Sequence, residues 1–215
     1  MTQDRVLVFT RTTGYRHDCI PAAVQAMREL CPAAEVTEDP DDFTRANLAR
    51  FAAVVFLNTN GEVLTEAARP ALAGFVRAGG GFLGVHSAAA TEYDWPFYGE
   101  LVGAWFDQHP AVQPATVTVA DPLHPATAEL PAAWDRIDEW YDFRSRPDAR
   151  VLLRVDESSY SGGLMGADHP VAWCHERLGG RSFYTALGHT VEAYAEPAFR
   201  RHLGEALRWV RHGAE

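Results

Sequence analysis

His86 follows directly on the apolar run Phe82-Leu83-Gly84-Val85, which is itself preceded by Gly79-Gly80-Gly81. An imidazole takes and returns a proton near neutral pH and ligates transition metals, so a histidine ending a buried strand is a candidate for acid/base or metal chemistry. A lone histidine there is as readily a core residue satisfied by backbone groups. His86 has company. His17 lies in Arg11-Thr12-Thr13-Gly14-Tyr15-Arg16-His17-Asp18, and Asn58 opens Asn58-Thr59-Asn60-Gly61. His109 stands in Phe106-Asp107-Gln108-His109-Pro110, Glu139 in Asp138-Glu139-Trp140-Tyr141, His169 in Gly166-Ala167-Asp168-His169-Pro170, and His189 in Ala186-Leu187-Gly188-His189-Thr190. Imidazole with carboxylate suits zinc and its neighbours, but no H-E-x-x-H or H-x-H spacing occurs, so a metal centre would have to be assembled from separate loops. His-Pro and Asp-x-His-Pro also serve plainly as turns. His124, His175, His202 and His212 read as structural or solvated.

The elements that must position these residues alternate in type. Arg5–Thr10, Glu35–Glu38, Ala53–Asn58 and Phe82–His86 read as strands, with helices over Pro21–Leu30 and Thr65–Ala78. This is βαβ grammar and implies an α/β fold with a mostly parallel sheet. Pro21 suits a first helical turn, Thr65 can cap, and Gly79 can end a helix in the left-handed conformation. Ligands of open parallel sheets bind beyond the carboxyl ends of the strands, so His17, Asn58 and His86 are expected to face one crevice.

After Trp95 the pattern changes. Pro96, Pro110, Pro114, Pro122, Pro125, Pro131 and Pro147 cut the chain into short strands such as Gln113–Val119 and Val151–Val155. A loop-rich C-terminal part is expected, carrying an antiparallel hairpin of Val171–His175 and Arg181–Ala186 and a closing helix over Pro197–Arg211. No repeat or linker interrupts the chain, so residues 1–215 read as a single domain.

Aromatic residues crowd the same loops. Tyr15, Tyr93, Trp95, Phe97, Tyr98, Trp105, Phe106, Trp140 and Tyr141 are mixed with Asp, Asn and Arg. Aromatic faces beside polar edges suit sugar rings, although packing in the core explains at least part of the set. Arg11, Tyr15, Asn58, Tyr93, Trp95 and Trp140 are the candidates for holding a substrate.

Composition narrows the classes. The 47% hydrophobic and 22% charged residues are ordinary for a globular protein. A formal charge of −10, with arginine as the sole basic side chain besides histidine, argues against nucleic acid as a partner. It also leaves no lysine for a Schiff base or a phosphate loop, and no nucleotide cofactor is indicated. Neither a leader pattern nor a long apolar span is present, so no membrane partner and a cytoplasmic location are expected. Cys19, Cys31 and Cys174 are an odd set without C-x-x-C spacing, which suggests neither a disulfide framework nor a zinc ribbon. Cys19 stands at a helix start, where a thiol pKa can fall.

Six segments together resemble the ThuA-like, trehalose-utilisation family: Val6–Ile20, Phe56–Leu64, Gly79–Pro110, Asp138–Phe143, Asp168–Glu176 and Gly180–Thr190. The resemblance implies a doubly wound, flavodoxin-like core of the class I glutamine amidotransferase-like kind. Such amidotransferases carry a cysteine in a G-x-C-x-G elbow, where this chain has Gly84-Val85-His86-Ser87-Ala88. An imidazole there cannot form the acyl thioester of glutamine hydrolysis, and Ser87 is displaced by one position. His189 falls near the expected place of an amidotransferase histidine. The resemblance further implies work on trehalose or keto-disaccharides, and some members look as though they hold a metal among these histidines. Ala90 departs from the pattern, standing where an aspartate is expected.

Two functions from different classes follow. The first is a sugar-processing lyase, isomerase or hydrolase, with His86, His17, His189 and Glu139 as catalytic groups and a divalent transition metal, zinc or similar, on His17, His86 and His109. The second is a sugar-binding or accessory protein that recognises without transforming. Cys19 or Cys174 as an amidotransferase nucleophile is the weakest reading, since neither lies in an elbow. A homo-oligomer is compatible with all three.

Overall fold

The computed structural model describes residues 5–212. Its elements are β1 (Val6–Phe9), α1 (Ile20–Leu30), β2 (Ala34–Thr37), α2 (Arg45–Leu48), β3 (Ala53–Leu57), α3 (Ala68–Arg77), β4 (Gly81–Val85) and α4 (Pro96–Val102). Then come β5 (Phe106–Gln108), β6 (Gln113–Val119), α5 (Pro125–Ala128), β7 (Ala133–Asp138), β8 (Asp142–Phe143), β9 (Arg150–Val155), β10 (His169–His175), β11 (Ser182–Thr185) and α6 (Pro197–His212).

Nine strands form one sheet in the order β2-β1-β3-β4-β11-β10-β9-β6-β7. The run from β2 to β11 is parallel. From β11 to β7 the neighbours are antiparallel, beginning with the expected β10/β11 hairpin. The small β5/β8 ladder stands apart. All residues of β1, β3, β4 and β11 are buried, so both faces of the parallel half are covered, as their unbroken apolar sequences require. Each buried Val, Leu or Phe of these strands contributes roughly 1.5–3 kcal/mol. The chain leaves β1 toward β2 on one side, while β3 lies on the other. That reversal makes a topological switch point, and the crevice opens at the carboxyl edge beside β1.

Local chemistry sets the boundaries. Thr65 accepts the Ala68 N–H on its hydroxyl at 3.2 Å, so it acts at the start of α3, although the helix begins three residues later than its pattern predicts. Gly79 ends that region with φ +99°, a conformation that costs a glycine little. At Gly81 a Cβ would lie 2.1 Å from the Val210 carbonyl, which is how closely α6 seats against β4. On α6, Phe199, Leu203, Ala206, Leu207 and Val210 form the buried stripe.

The region after Trp95 is more ordered than its prolines suggest. Pro96 and Pro125 open α4 and α5, where a missing N–H is not needed. Pro114 sits in the stretch of β6 that pairs with β7 but not with β9, whose register begins at Val117. A strand interior tolerates proline on such a one-sided stretch.

Candidate histidine and carboxylate site

Four loops at the carboxyl edge of the parallel strands carry the reactive residues, and a fifth segment, after β7, supplies the carboxylate. His86 ends β4 with φ +51° and starts a 3-10 turn through Ala90. Asn58 after β3 and Glu92 share the left-handed conformation at φ +52° and +53°, so among the described residues the non-glycine positions strained this way border this edge of the sheet.

His86 is fully buried, and its ring stacks on Tyr141 with centroids 4.4 Å apart. Its Nδ1 faces the Ala186 carbonyl at 2.7 Å, which can only accept, so the ring proton resides on Nδ1 and the neutral ring's lone pair on Nε2. Nε2 lies 3.3 Å from Glu139 Oε2 and 3.3 Å from His189 Nδ1. His189 Nδ1 in turn is 3.2 Å from the same carboxylate oxygen. His17, on the loop after β1, packs edge-on to His86 at 4.8 Å and to His189 at 5.1 Å. Its Nδ1 meets Ser87 Oγ at 3.3 Å. One potential ligand atom from each of His17, His86, Glu139 and His189 lies within 4.8 Å of the others.

The charges follow from this packing. Burial pushes the His17 imidazolium down to about 3, and the positive potentials of His86 and His189 add to the effect. Burial alone would raise the Glu139 carboxyl, but its contacts with the His189 and His86 imidazoles outweigh it and hold Glu139 well below the usual carboxylate range. Burial depresses His189, yet the hydrogen bond and charge of Glu139 win and its pKa is raised. The arrangement is an ionised carboxylate, a neutral His17 and a His189 whose proton Glu139 favours.

Glu139 is unlike the other buried acids. Glu92 accepts Val63 N–H and Leu64 N–H at 2.8 Å and the Arg69 guanidinium at 2.7 Å, so its lone pairs are spent on anchoring the loop after β3. Asp142 accepts Leu164 N–H at 2.9 Å, while Glu157 Oε1 accepts Met165 N–H at 2.7 Å and Gly166 N–H at 2.8 Å. His169 lies between these two carboxylates, its Nδ1 2.8 Å from Glu157 and its Nε2 donating to the Tyr141 carbonyl at 2.8 Å. Donor atoms of Asp142, Glu157 and His169 also approach within 4.8 Å, but backbone N–H groups already occupy Asp142 Oδ1 and Glu157 Oε1, and the group works as a loop clamp. Glu139 meets imidazoles: His86 and His189 on Oε2, and His109 Nδ1 at 3.2 Å on Oε1.

The structure sorts the remaining candidates. His109 is half exposed, reaches the site through Glu139, and lies outside the close group of donor atoms where the sequence reading put it; His189 and Glu139 take that place beside His17 and His86. Tyr15 is 63% exposed, its ring edge-on to His17 at 4.8 Å, so it stands over the cluster. Arg11 is half-buried and has no ion-pair partner among the described residues. Asn58 does not face the crevice: it is buried, and its amide donates to Tyr194 Oη at 2.8 Å, which donates to the Gly188 carbonyl. Trp140 is core, its Nε1 donating to the Gln113 carbonyl at 2.9 Å. Trp95 packs on Phe97 and Tyr98 under Arg69, and Tyr93 donates to the Phe106 carbonyl beneath Arg144. Trp140 is thus withdrawn from any ligand, whereas Tyr93 and Trp95 stay half-buried, each under an arginine.

Burial pushes the Cys19 and Cys174 thiols up to about 12, which removes both as nucleophiles near neutral pH. Ala90 is buried, and its carbonyl accepts Gly61 N–H at 2.9 Å, so that position contributes backbone only. Sequence reading gave no role to Asp138 or to the Ser87 hydroxyl. Their partners lie 51 and 70 positions away in the chain, and no local signal marks such pairings. No helix of the described residues is long and apolar enough to cross a membrane.

The profile of the ThuA family, described as trehalose utilisation, matches residues 5–210. Among solved structures, a ThuA-like protein from Bacteroides uniformis ATCC 8492 superposes with TM-score 0.82 at 24% identity, covering 97% of this chain and 91% of that one. A ThuA-like protein from Parabacteroides merdae ATCC 43184 gives TM-score 0.81 at 18% identity, covering 97% and 90%. A chain of PurLQS from Thermotoga maritima gives TM-score 0.60 at 11% identity, covering 95% and 98%, which ties the fold to glutamine amidotransferase-like proteins. None of the curated proteins matches in sequence.

Proposed function

Because the chain belongs to the ThuA, trehalose-utilisation family, we propose that it is an enzyme acting on a sugar or keto-sugar through the histidine and carboxylate cluster, with a divalent transition metal as cofactor. The observation that carries this reading is the convergence of lone pairs on Glu139 and His86. His86 Nε2 has no proton when the ring is neutral, and it lies 3.3 Å from both an ionised carboxylate oxygen and His189 Nδ1. One proton on His189 Nδ1 cannot serve both neighbours, so a cation among them relieves the repulsion. The donor set fits that cation: three imidazoles and a carboxylate suit zinc, manganese or nickel. His17, His86, Glu139 and His189 would hold it. The anchoring of His86 Nδ1 on Ala186 and of His17 Nδ1 on Ser87 orients each ring as outer partners of metal ligands do.

A metal bound there supplies polarisation of a sugar carbonyl or acidification of a bound water. The chain's own groups do the rest. His109 keeps its Nδ1 proton between the Pro110 carbonyl at 2.8 Å and Glu139, which leaves Nε2 as the proton-accepting atom of a half-exposed ring. With a keto-sugar, that atom takes the C–H proton between the carbonyl and the glycosidic carbon. The electron pair forms the C=C bond, the glycosidic C–O bond breaks, and the departing oxygen takes up the proton. Tyr15 stands over the cluster as an aromatic face for the ring, and Arg11 is available for its hydroxyls or an anionic substituent.

His86→Ala tests the proposal with glycosides and keto-glycosides as substrates. Loss of turnover at unchanged unfolding midpoint supports it, and full turnover in the variant sinks it.

A further inference from the structure

Asp138 is fully buried, next to Glu139 in the chain, and saturated with donors. Its Oδ1 accepts the His189 N–H at 2.9 Å and the Glu139 N–H at 3.0 Å. Its Oδ2 accepts the Gly188 N–H at 2.9 Å and the Arg136 guanidinium at 2.8 Å. We propose that Asp138 is the positioning residue of the site: a carboxylate that never meets substrate but holds the His189 loop and the Glu139 segment in one geometry.

The physical case starts at the loop after β11. Gly188 has φ +111°, so the chain turns there in a conformation that nothing in the local sequence enforces beyond the glycine itself. The two successive N–H groups of Gly188 and His189 then point to the two oxygens of a single carboxylate. Fixing both fixes the direction in which the His189 side chain leaves the backbone. The same segment carries the Ala186 carbonyl that determines which nitrogen of His86 is protonated. The Glu139 N–H, on the opposite strand end, shares Oδ1 with His189. Three of the residues that converge on the cluster are therefore referred to one anion.

Arg136 is the cationic partner of this anion. It lies buried against Asp138, with a second ion pair to Glu196 at 3.1 Å and its guanidinium 4.8 Å above the Phe199 ring. The Asp138 charge is thus paired with a guanidinium, whereas Glu139 meets imidazoles. Asparagine cannot replace Asp138: its amide nitrogen would oppose at least one N–H donor, because a carboxylate alone offers acceptors on both arms.

The inference rests on reading the cluster as the reactive site, and its test does not depend on turnover. In uniformly 15N-labelled protein, the Gly188, His189 and Glu139 amides are expected to be protected from hydrogen exchange, and the His86 ring to be a single Nδ1–H tautomer. Asp138→Asn is expected to accelerate exchange of these amides about tenfold or more, the scale of losing a hydrogen bond to a charged group. It should also mix the His86 tautomers, while the ring signals of His124 and His202 stay in place. Unmoved His86 and His189 rings in a folded Asp138→Asn variant overturn the proposal. If that variant does not fold, the wild-type amides decide alone: exchange of His189 N–H at the rate of an open loop overturns it. Full turnover in His86→Ala refutes the site reading instead and leaves both observations standing.

Discussion

Two groups of buried histidines show what separates a packed imidazole from a reactive one. Where α5 meets α6, His202 gives its Nδ1 to the Ala126 carbonyl at 2.9 Å, and His124 uses its Nδ1 to accept the Ala126 N–H at 3.1 Å. The second nitrogen of each has no partner and faces Phe183, Phe199 or Trp209. At the crevice, His86 spends Nδ1 in the same way, on a backbone carbonyl. Its second nitrogen, with that of His189, meets Glu139. Burial drives His124 and His202 down to about 4 and His17 to about 3, so depression of the pKa does not distinguish the groups. The partner of the second nitrogen does.

The hardest blow to this contrast is Glu139→Gln. It removes the charge on which the crevice histidines converge, and turnover is expected to fall by roughly 10³-fold, within the range of a lost acid/base or metal-holding group. The fold should not suffer, because Glu139 anchors no loop. Turnover within a few fold of wild type would put Glu139 in the same class as the core. Glu92→Ala is the matched substitution in an anchoring carboxylate. It leaves the Val63 and Leu64 N–H groups unpaired and removes one of the two carboxylates on Arg69, and should destabilise the protein by about 3–5 kcal/mol in urea unfolding, with turnover per folded molecule retained.

The pair between α5 and α6 gives the third prediction. Their folded pKa near 4 lies below the unfolded value of 6.5, so the unfolded chain binds more protons between these limits. Stability from each is complete above about pH 6.5 and is lost as the pH falls toward 4. Between pH 7 and pH 5 the loss should reach about 2 kcal/mol per histidine, read from urea midpoints at the two pH values. A double replacement by phenylalanine should flatten the slope. The smallest effect is expected at the mouth: Tyr15→Ala should change stability by less than about 0.5 kcal/mol and raise KM for the sugar with little change in kcat. An unchanged KM would take Tyr15 out of the binding surface.

The sequence made the parallel half of the sheet legible because its strands are continuous apolar runs separated by capped helices. The same grammar brought His17 and His86 to one edge, and the G-x-H-S-A segment marked where the elbow of an amidotransferase-like fold would stand. Glu139 was readable as a candidate, but its position follows from an antiparallel half whose strand order, β11-β10-β9-β6-β7, no local pattern reveals. The aromatic readings divide for a physical reason: Tyr15 stands exposed beside His17 while Trp140 is core, and residues of these types in loop-rich segments look alike whether they meet solvent or core. Asn58 misled because its loop points to the crevice while its side chain turns back to Tyr194. His169 and its two acids show the converse, a metal-like set of residue types in which backbone N–H groups occupy one oxygen of each acid and His169 Nε2 is spent on a backbone carbonyl.

The most direct test of the central claim is the metal content of the purified protein after equilibration with zinc, manganese or nickel and dialysis against a mild chelator. The wild type should retain about one ion per chain with the affinity typical of three imidazoles and a carboxylate. His86→Ala and Glu139→Gln should lose it, and His202→Phe should keep it. A wild type that binds none of these ions under any of the conditions, or a His86→Ala variant that binds as tightly, would contradict the claim that these four residues form a metal-holding site.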